Sequence, residues 1–181
     1  FHATGAGGRT MEALISDGLF AGVLDITTTE LADERVGGIL SAGPGRLTAA
    51  GLNGTPQLVS TGATDMVNFG GTTPAEFEGR LFYKHNPAVT LMRTTAEECR
   101  ELGREIAEKV SGAKGPAAIM LPLYGVSAID REGEAFDDPN AREALFDAIR
   151  QHPAEVEVNE LPFHINDPEF AGACARRLVE L

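Results

Sequence analysis

The sequence predicts an α/β fold, a Rossmann-like three-layer domain with a mostly parallel sheet. Two observations predict it. Short apolar runs alternate with amphipathic helical stretches, as at residues 22–27, 56–61, 95–111 and 117–123. The last third also carries one pattern twice: Leu121-Pro122-Leu123 leads through a loop to Asp138-Pro139 and a helix, and Leu161-Pro162-Phe163 leads to Asp167-Pro168 and another. Strand, helix, strand, helix at this spacing makes βαβ units. Right-handed crossovers then bring the carboxyl ends of the strands to one rim.

Size and charge bound the function. The 181 residues are 43% hydrophobic and 23% charged, ordinary values for a globular chain. The formal net charge is −12. That argues against a nucleic-acid partner or an anionic membrane surface, although a small anionic ligand stays open because its site is set locally. No apolar run approaches the ~20 residues of a membrane span. Cys99 and Cys174 fall on apolar helix faces and read as core thiols of a reducing, cytoplasmic compartment. No spacing of His or Cys suggests a metal site.

The opening stretch, Phe1-His2-Ala3-Thr4-Gly5-Ala6-Gly7-Gly8-Arg9-Thr10-Met11-Glu12, reads as the end of a strand, a glycine-rich turn and the start of a helix. A strand end at Phe1 implies further chain upstream. Met11, Leu14 and Ile15 form one apolar helical stripe, and Gly18 sits where a glycine ends a helix. Exposed N–H groups at such a turn, with a helix N-terminus behind them, suit a phosphate or carboxylate. The pattern is neither the dinucleotide fingerprint nor a P-loop.

Residues 22–27 follow as a buried strand, with Thr28, Thr29 and Glu30 placed as ligand-facing groups at its end. Residues 31–40 are weakly helical, 41–45 a loop and 46–52 a short helix. Residues 56–61 are the next strand and 62–65 its loop. Residues 66–87 show poor periodicity and read as a long irregular excursion, functional or facing a partner. Thr95 and Glu98 make a capping box for a helix to Ser111 with Cys99, Leu102, Ile106 and Val110 buried. After the strand at 117–123, Asp138 and Asp167 are N-caps with proline at the first helical position.

Ligands in open α/β sheets bind beyond the carboxyl ends of the strands. The rim therefore supplies the candidates. For ligand binding they are Thr4, Gly5, Gly7, Gly8, Thr28, Glu30, Gly62, Asp65, Ser127 and Asn166, with Asn86 from the excursion. For acid–base chemistry they are His2, His85, His164 and Asp130. His152 ends a helix and reads as structural. Each histidine has a plainer reading as a hydrogen-bonded loop residue, and Gly125-Val126-Ser127 is not a nucleophile elbow.

Several of these runs resemble one family. They are Phe1-His2-Ala3-Thr4-Gly5-x-Gly7-Gly8-x-x-Met11-Glu12, Thr27-Thr28-Thr29-Glu30-Leu31, Ser41-Ala42-Gly43-Pro44, Lys84-His85-Asn86-Pro87, Pro122-Leu123-x-Gly125-Val126-Ser127 and His164-Ile165-Asn166-Asp167. Together they resemble the ATP-binding-domain family typified by the tomato mosaic virus resistance protein, long grouped as uncharacterised. The resemblance implies a C-terminal α/β subdomain that follows an N-terminal one. It implies ATP and magnesium as cofactors of the full-length protein, held mainly by the N-terminal subdomain. Three functions stay open: a domain binding a small anionic or phosphate-bearing ligand, an acid–base enzyme of unknown substrate, and a module forming a homodimer around the nucleotide-binding half.

Overall fold

The computed structural model describes residues 1–181. Four strands, β1 (Val23–Thr27), β2 (Gln57–Gly62), β6 (Ala117–Pro122) and β7 (Glu157–Leu161), form a parallel sheet in the order β1-β2-β6-β7. Three more, β3 (Met66–Phe69), β4 (Phe82–Asn86) and β5 (Val89–Arg93), form an antiparallel sheet in the order β3-β5-β4. Six helices complete the chain: α1 (Gly5–Ser16), α2 (Thr29–Val36), α3 (Ala49–Asn53), α4 (Ala96–Ser111), α5 (Pro139–Arg150) and α6 (Pro168–Glu180).

The parallel strands alternate their side chains between two covered faces, which makes three layers. Val59, Ile119 and Leu121 point to one face and join Leu102, Ile106 and Val110 of α4 and Leu145, Phe146 and Ile149 of α5. Leu58 and Met120 point to the other and meet Phe170 and Cys174 of α6. Val23 packs with Ile15 of α1 and with Ala49 and Ala50 of α3. Both cysteines are free and buried.

Local chemistry explains the helix ends. Thr95 and Glu98 close the capping box on α4, with both reciprocal bonds present. The Asp138 carboxylate accepts from Ala141 N–H at the start of α5. Asp167 precedes α6, but its carboxylate accepts from the His164 N–H rather than capping the helix. Ala171, next to buried Phe170 on α6, is exposed. Gly18, just beyond α1, has φ +73°, the left-handed conformation that favours glycine after a helix.

Three further expectations change. Phe1-His2-Ala3-Thr4 pairs with no strand of residues 1–181, and the glycines are not a turn ahead of the helix: Thr4 is the N-cap, and Gly5, Gly7 and Gly8 lie in the helix's first turn. Residues 66–87 are not an irregular excursion. They hold β3, one 3-10 turn (Ala75–Phe77) and β4, and with β5 they make the antiparallel sheet. Thr28 is not a ligand-facing loop group, because it precedes α2 directly and its hydroxyl donates to the Ser60 carbonyl in the interior.

Candidate functional site

Two buried polar clusters lie at the carboxyl ends of β1 and β2. The first is built on Arg46. Leu47, in the next position, has φ +72°, a conformation costing a side-chain-bearing residue on the order of 1 kcal/mol or more. The Glu12 carboxylate of α1 holds that turn by accepting from Leu47 N–H at 2.7 Å and Ala49 N–H at 2.9 Å. Arg46 is thereby turned inward, where only 2% of it is exposed. Its Nη2 donates to Asp25 Oδ1 at 2.6 Å, its Nη1 donates to Asp25 Oδ2, and its Nε donates to Glu30 Oε2 at 3.2 Å. The surrounding carboxylates hold the guanidinium pKa above its usual value despite burial.

Glu30 is fully buried, and its second oxygen, Oε1, has no hydrogen-bond partner. Burial pushes the Glu30 pKa up, against the opposing pull of Arg46. The residue lies beneath the first turns of α1: a Cβ on Gly8 would sit 2.5 Å from Glu30 Oε1 and 2.9 Å from Ala42 Cβ. Gly5 and Gly7 are packed as closely, against the carbonyls of Ser41 and His2. The three glycines thus let α1 approach backbone and carboxyl groups directly. Gly7 N–H donates to Thr4 Oγ1 and Gly8 N–H to the Thr4 carbonyl, while the amides of Gly5 and Ala6 have no partner in the chain. A cavity of about 620 Å³ opens beside this cluster. Its polar end is lined by His2, Thr4, Gly8, Thr27, Glu30 and Arg46, and its apolar end by residues of α1 and β1 with Phe1 and Phe20.

The second cluster is built on Asp65, just past β2. Asp65 is fully buried; its Oδ2 accepts from Ser127 Oγ at 2.8 Å and its Oδ1 has no partner. Burial, reinforced by the neighbouring Asp130 carboxylate and opposed by Arg93, raises its pKa to about 7. Asp130 binds Arg142 at 2.9 Å and Arg93 at 3.3 Å. His164 closes the cluster. Its Nε2 lies 2.8 Å from the Ser127 carbonyl and its Nδ1 accepts from Asn166 N–H at 3.1 Å, so both ring nitrogens hold loops together.

The fold therefore divides the sequence candidates. His2, Thr4, Gly8 and Glu30 share the first cavity, with Gly5 and Gly7 in the same helical turn. Asp65, Ser127, Asp130 and His164 share the second cluster. Gly62 packs against the Ile26 carbonyl and the Ile165 side chain. His85 is exposed on β4, and Asn86 ends that strand, its Oδ1 accepting from the Ala88 and Val89 amides of the hairpin. Asn166 is exposed on the loop after β7. Asp25, Arg93 and Arg142 were not among the candidates, although a charged residue inside an apolar run, as in Val23-Leu24-Asp25-Ile26 and Leu91-Met92-Arg93, is the signal that marks a buried ion pair.

The whole chain, residues 1–181, matches a family described as the C-terminal domain of an uncharacterised protein family, UPF0261. The chain belongs to UPF0261. A UPF0261 protein of Clostridium tetani is 54% identical over 185 residues, covering 100% of this chain and 46% of that protein. One from Mesorhizobium japonicum is 51% identical, covering 97% of this chain and 45% of that protein. The tomato ToMV resistance protein Tm-1 is 44% identical over 186 residues, covering 100% of this chain and 25% of that protein. The chain thus spans less than half the length of these UPF0261 relatives. No helix of this UPF0261 domain is long and apolar enough to cross a membrane.

Proposed function

We propose that this domain binds a small ligand bearing a phosphate or carboxylate at the rim where α1 begins. One juxtaposition carries the reading. Within the first turns of a 12-residue helix, the Gly5 and Ala6 amides are unpartnered donors, and a buried Glu30 oxygen without a partner lies under Gly8. Amides at a helix start favour an anion. Burial also disfavours the charged form of Glu30, which weakens its repulsion of an anion.

The residues present suit a phosphate-bearing group but not its magnesium. The carboxylates of this cluster are Glu12, Asp25 and Glu30, and all three are committed to Arg46. In the full-length protein a nucleotide's metal would fall to other residues.

Calorimetric titration of inorganic phosphate and of ATP into the full-length protein tests the reading, with Ala6→Glu as the variant. Ala6 is exposed, and a carboxylate in a first helical turn is tolerated or mildly stabilising. The variant should keep its melting temperature and lose anion affinity tenfold or more. Unchanged affinity would place the anion elsewhere.

A second reading, acid–base catalysis, is favoured by Asp65 alone, since a carboxyl with a pKa near 7 is poised for proton transfer at neutral pH. Solvent-deuterium exchange into small carboxylic acids by the full-length protein, abolished by Asp65→Asn, would support it; exchange that survives the substitution would exclude Asp65.

A further inference from the structure

The parallel sheet has two edges, and they differ in kind. β7 is guarded by charge: Glu157 binds Arg177, and Glu160 binds Arg150. Such charges blunt an edge against pairing. β1 has no such guard. Its single charged side chain, Asp25, is turned inward onto Arg46. Beside β1 runs the apolar end of the cavity, walled by Met11, Ile15, Phe20, Leu24 and Ile26. Leu24 remains 38% exposed. Val23 N–H donates to the Pro56 carbonyl on the β2 side. By alternation along the strand, the Leu24 amide and carbonyl point to the open side.

Topology says what belongs there. The order β1-β2-β6-β7 advances in one direction. Leu31 and Ala32 of α2, α4 and α5 pack on one face of the sheet. α1 reaches the same face through Ile15, which packs on Val23, and leads directly into β1. α1 and β1 are thus the second and third parts of a β-α-β unit. A right-handed crossover puts the first strand of that unit on the open side of β1. The chain already approaches along this path. Phe1 packs its ring against Phe20, just ahead of β1, with centroids 6.1 Å apart, whereas Thr4 caps α1 at the opposite, carboxyl end of the strand. Phe1, His2, Ala3 and Thr4 all line the trough with β1.

We infer that the open edge of β1 and its apolar trough are the docking slot for a parallel strand that runs from the residues immediately N-terminal to Phe1 in the full-length protein through Phe1 and His2. The family relatives have room for it, because the matching family model is that of a C-terminal domain and this chain covers only 46% and 45% of two of them. The strand fills the apolar end of the cavity and ends at His2–Thr4. The polar end, with Thr4, Gly8, Glu30 and Arg46, then becomes the floor of the rim site proposed above. The inference stands apart from that reading: the slot is defined by backbone and apolar surface, the site by the α1 amides and Glu30.

Residue-resolved hydrogen exchange on the full-length protein tests it. The Leu24 amide should exchange as slowly, within about tenfold, as the Asp25 amide that faces β2. That protection should not change with protein concentration. Proline at either of the two positions preceding Phe1 should speed Leu24 exchange at least tenfold while Asp25 stays protected. Fast exchange of Leu24 in the full-length protein would overturn the inference. So would protection that appears only at high concentration, which would mean a second copy pairs there, or protection indifferent to both prolines.

Discussion

Arg46 grips Asp25 with both terminal nitrogens, Nη2 to Oδ1 at 2.6 Å and Nη1 to Oδ2, while its Nε holds Glu30. The contact ties the loop before α3 to β1 and to α2, and Glu12 adds α1. Arg46→Met leaves Asp25 and Glu30 buried without their cation, an arrangement that costs about 3–5 kcal/mol. Urea denaturation should show a loss of that order. Arg46→Lys should recover only part of it, because an ammonium cannot match the two-pronged geometry. Arg46→Met combined with Asp25→Leu should be less damaging than Arg46→Met alone.

Asp65 makes stability depend on pH in an unusual direction. Its pKa rises from 3.8 to about 7 on folding. Between those values the folded chain keeps a proton that the unfolded chain releases, so this group's contribution falls as pH rises from about 4 to about 7 and levels off above. Asp65→Asn keeps an acceptor for Ser127 Oγ and removes the titration. The gap between variant and wild type in unfolding free energy from urea denaturation should shift in the variant's favour from pH 5 to pH 8, by on the order of a few kcal/mol. A gap constant with pH would contradict the burial account.

Gly8 is required by packing rather than by helix propensity. Alanine is worth about 1 kcal/mol over glycine in a helix interior. Here its methyl would press on Glu30 Oε1 and Ala42 Cβ. Overpacking typically costs about 1–3 kcal/mol, so Gly8→Ala should be net destabilising in thermal melts. A stabilised variant would show that α1 has room to move off the Arg46 cluster.

Glu30 should make anion affinity pH-dependent. Asp25, Arg46 and Glu12 are its charged neighbours, and burial raises its pKa above the usual carboxylate value. Its protonated form suits an anion and its ionised form repels one. Sulfate, whose own charge is fixed across neutral pH, should bind the full-length protein more weakly as pH rises through that raised pKa. A pH dependence that Glu30→Gln leaves unchanged would separate Glu30 from the site.

What the sequence revealed followed the strength of local signals. Thr95 and Glu98 announced α4, and the Asp138-Pro139 and Asp167-Pro168 pairs announced α5 and α6, because caps and proline act within one turn. β3 and β4 stayed hidden because their order comes from distant partners. Asn68 interrupts the apolar run of β3, yet it is buried through bonds to Asp33 and Thr29 on α2. β4 is half-exposed and carries Lys84, His85 and Asn86, so it shows no clean alternation. The rim was legible as a place, since it follows from parallel topology. Its chemistry was less so: the partners of Arg46 come from β1, α1 and α2, and no spacing along the chain joins them. For the acid–base candidate His164 the plainer reading fits, since both ring nitrogens are hydrogen-bonded to loop backbone.

The most direct test of the rim site watches its donors. The full-length protein, labelled with nitrogen-15 at glycine and alanine, is titrated with inorganic phosphate, and the amide resonances of Gly5 and Ala6 are followed. Both should shift downfield together and saturate with the affinity measured by calorimetry. Resonances that stay in place while the protein binds phosphate, or no binding at millimolar phosphate, would contradict it.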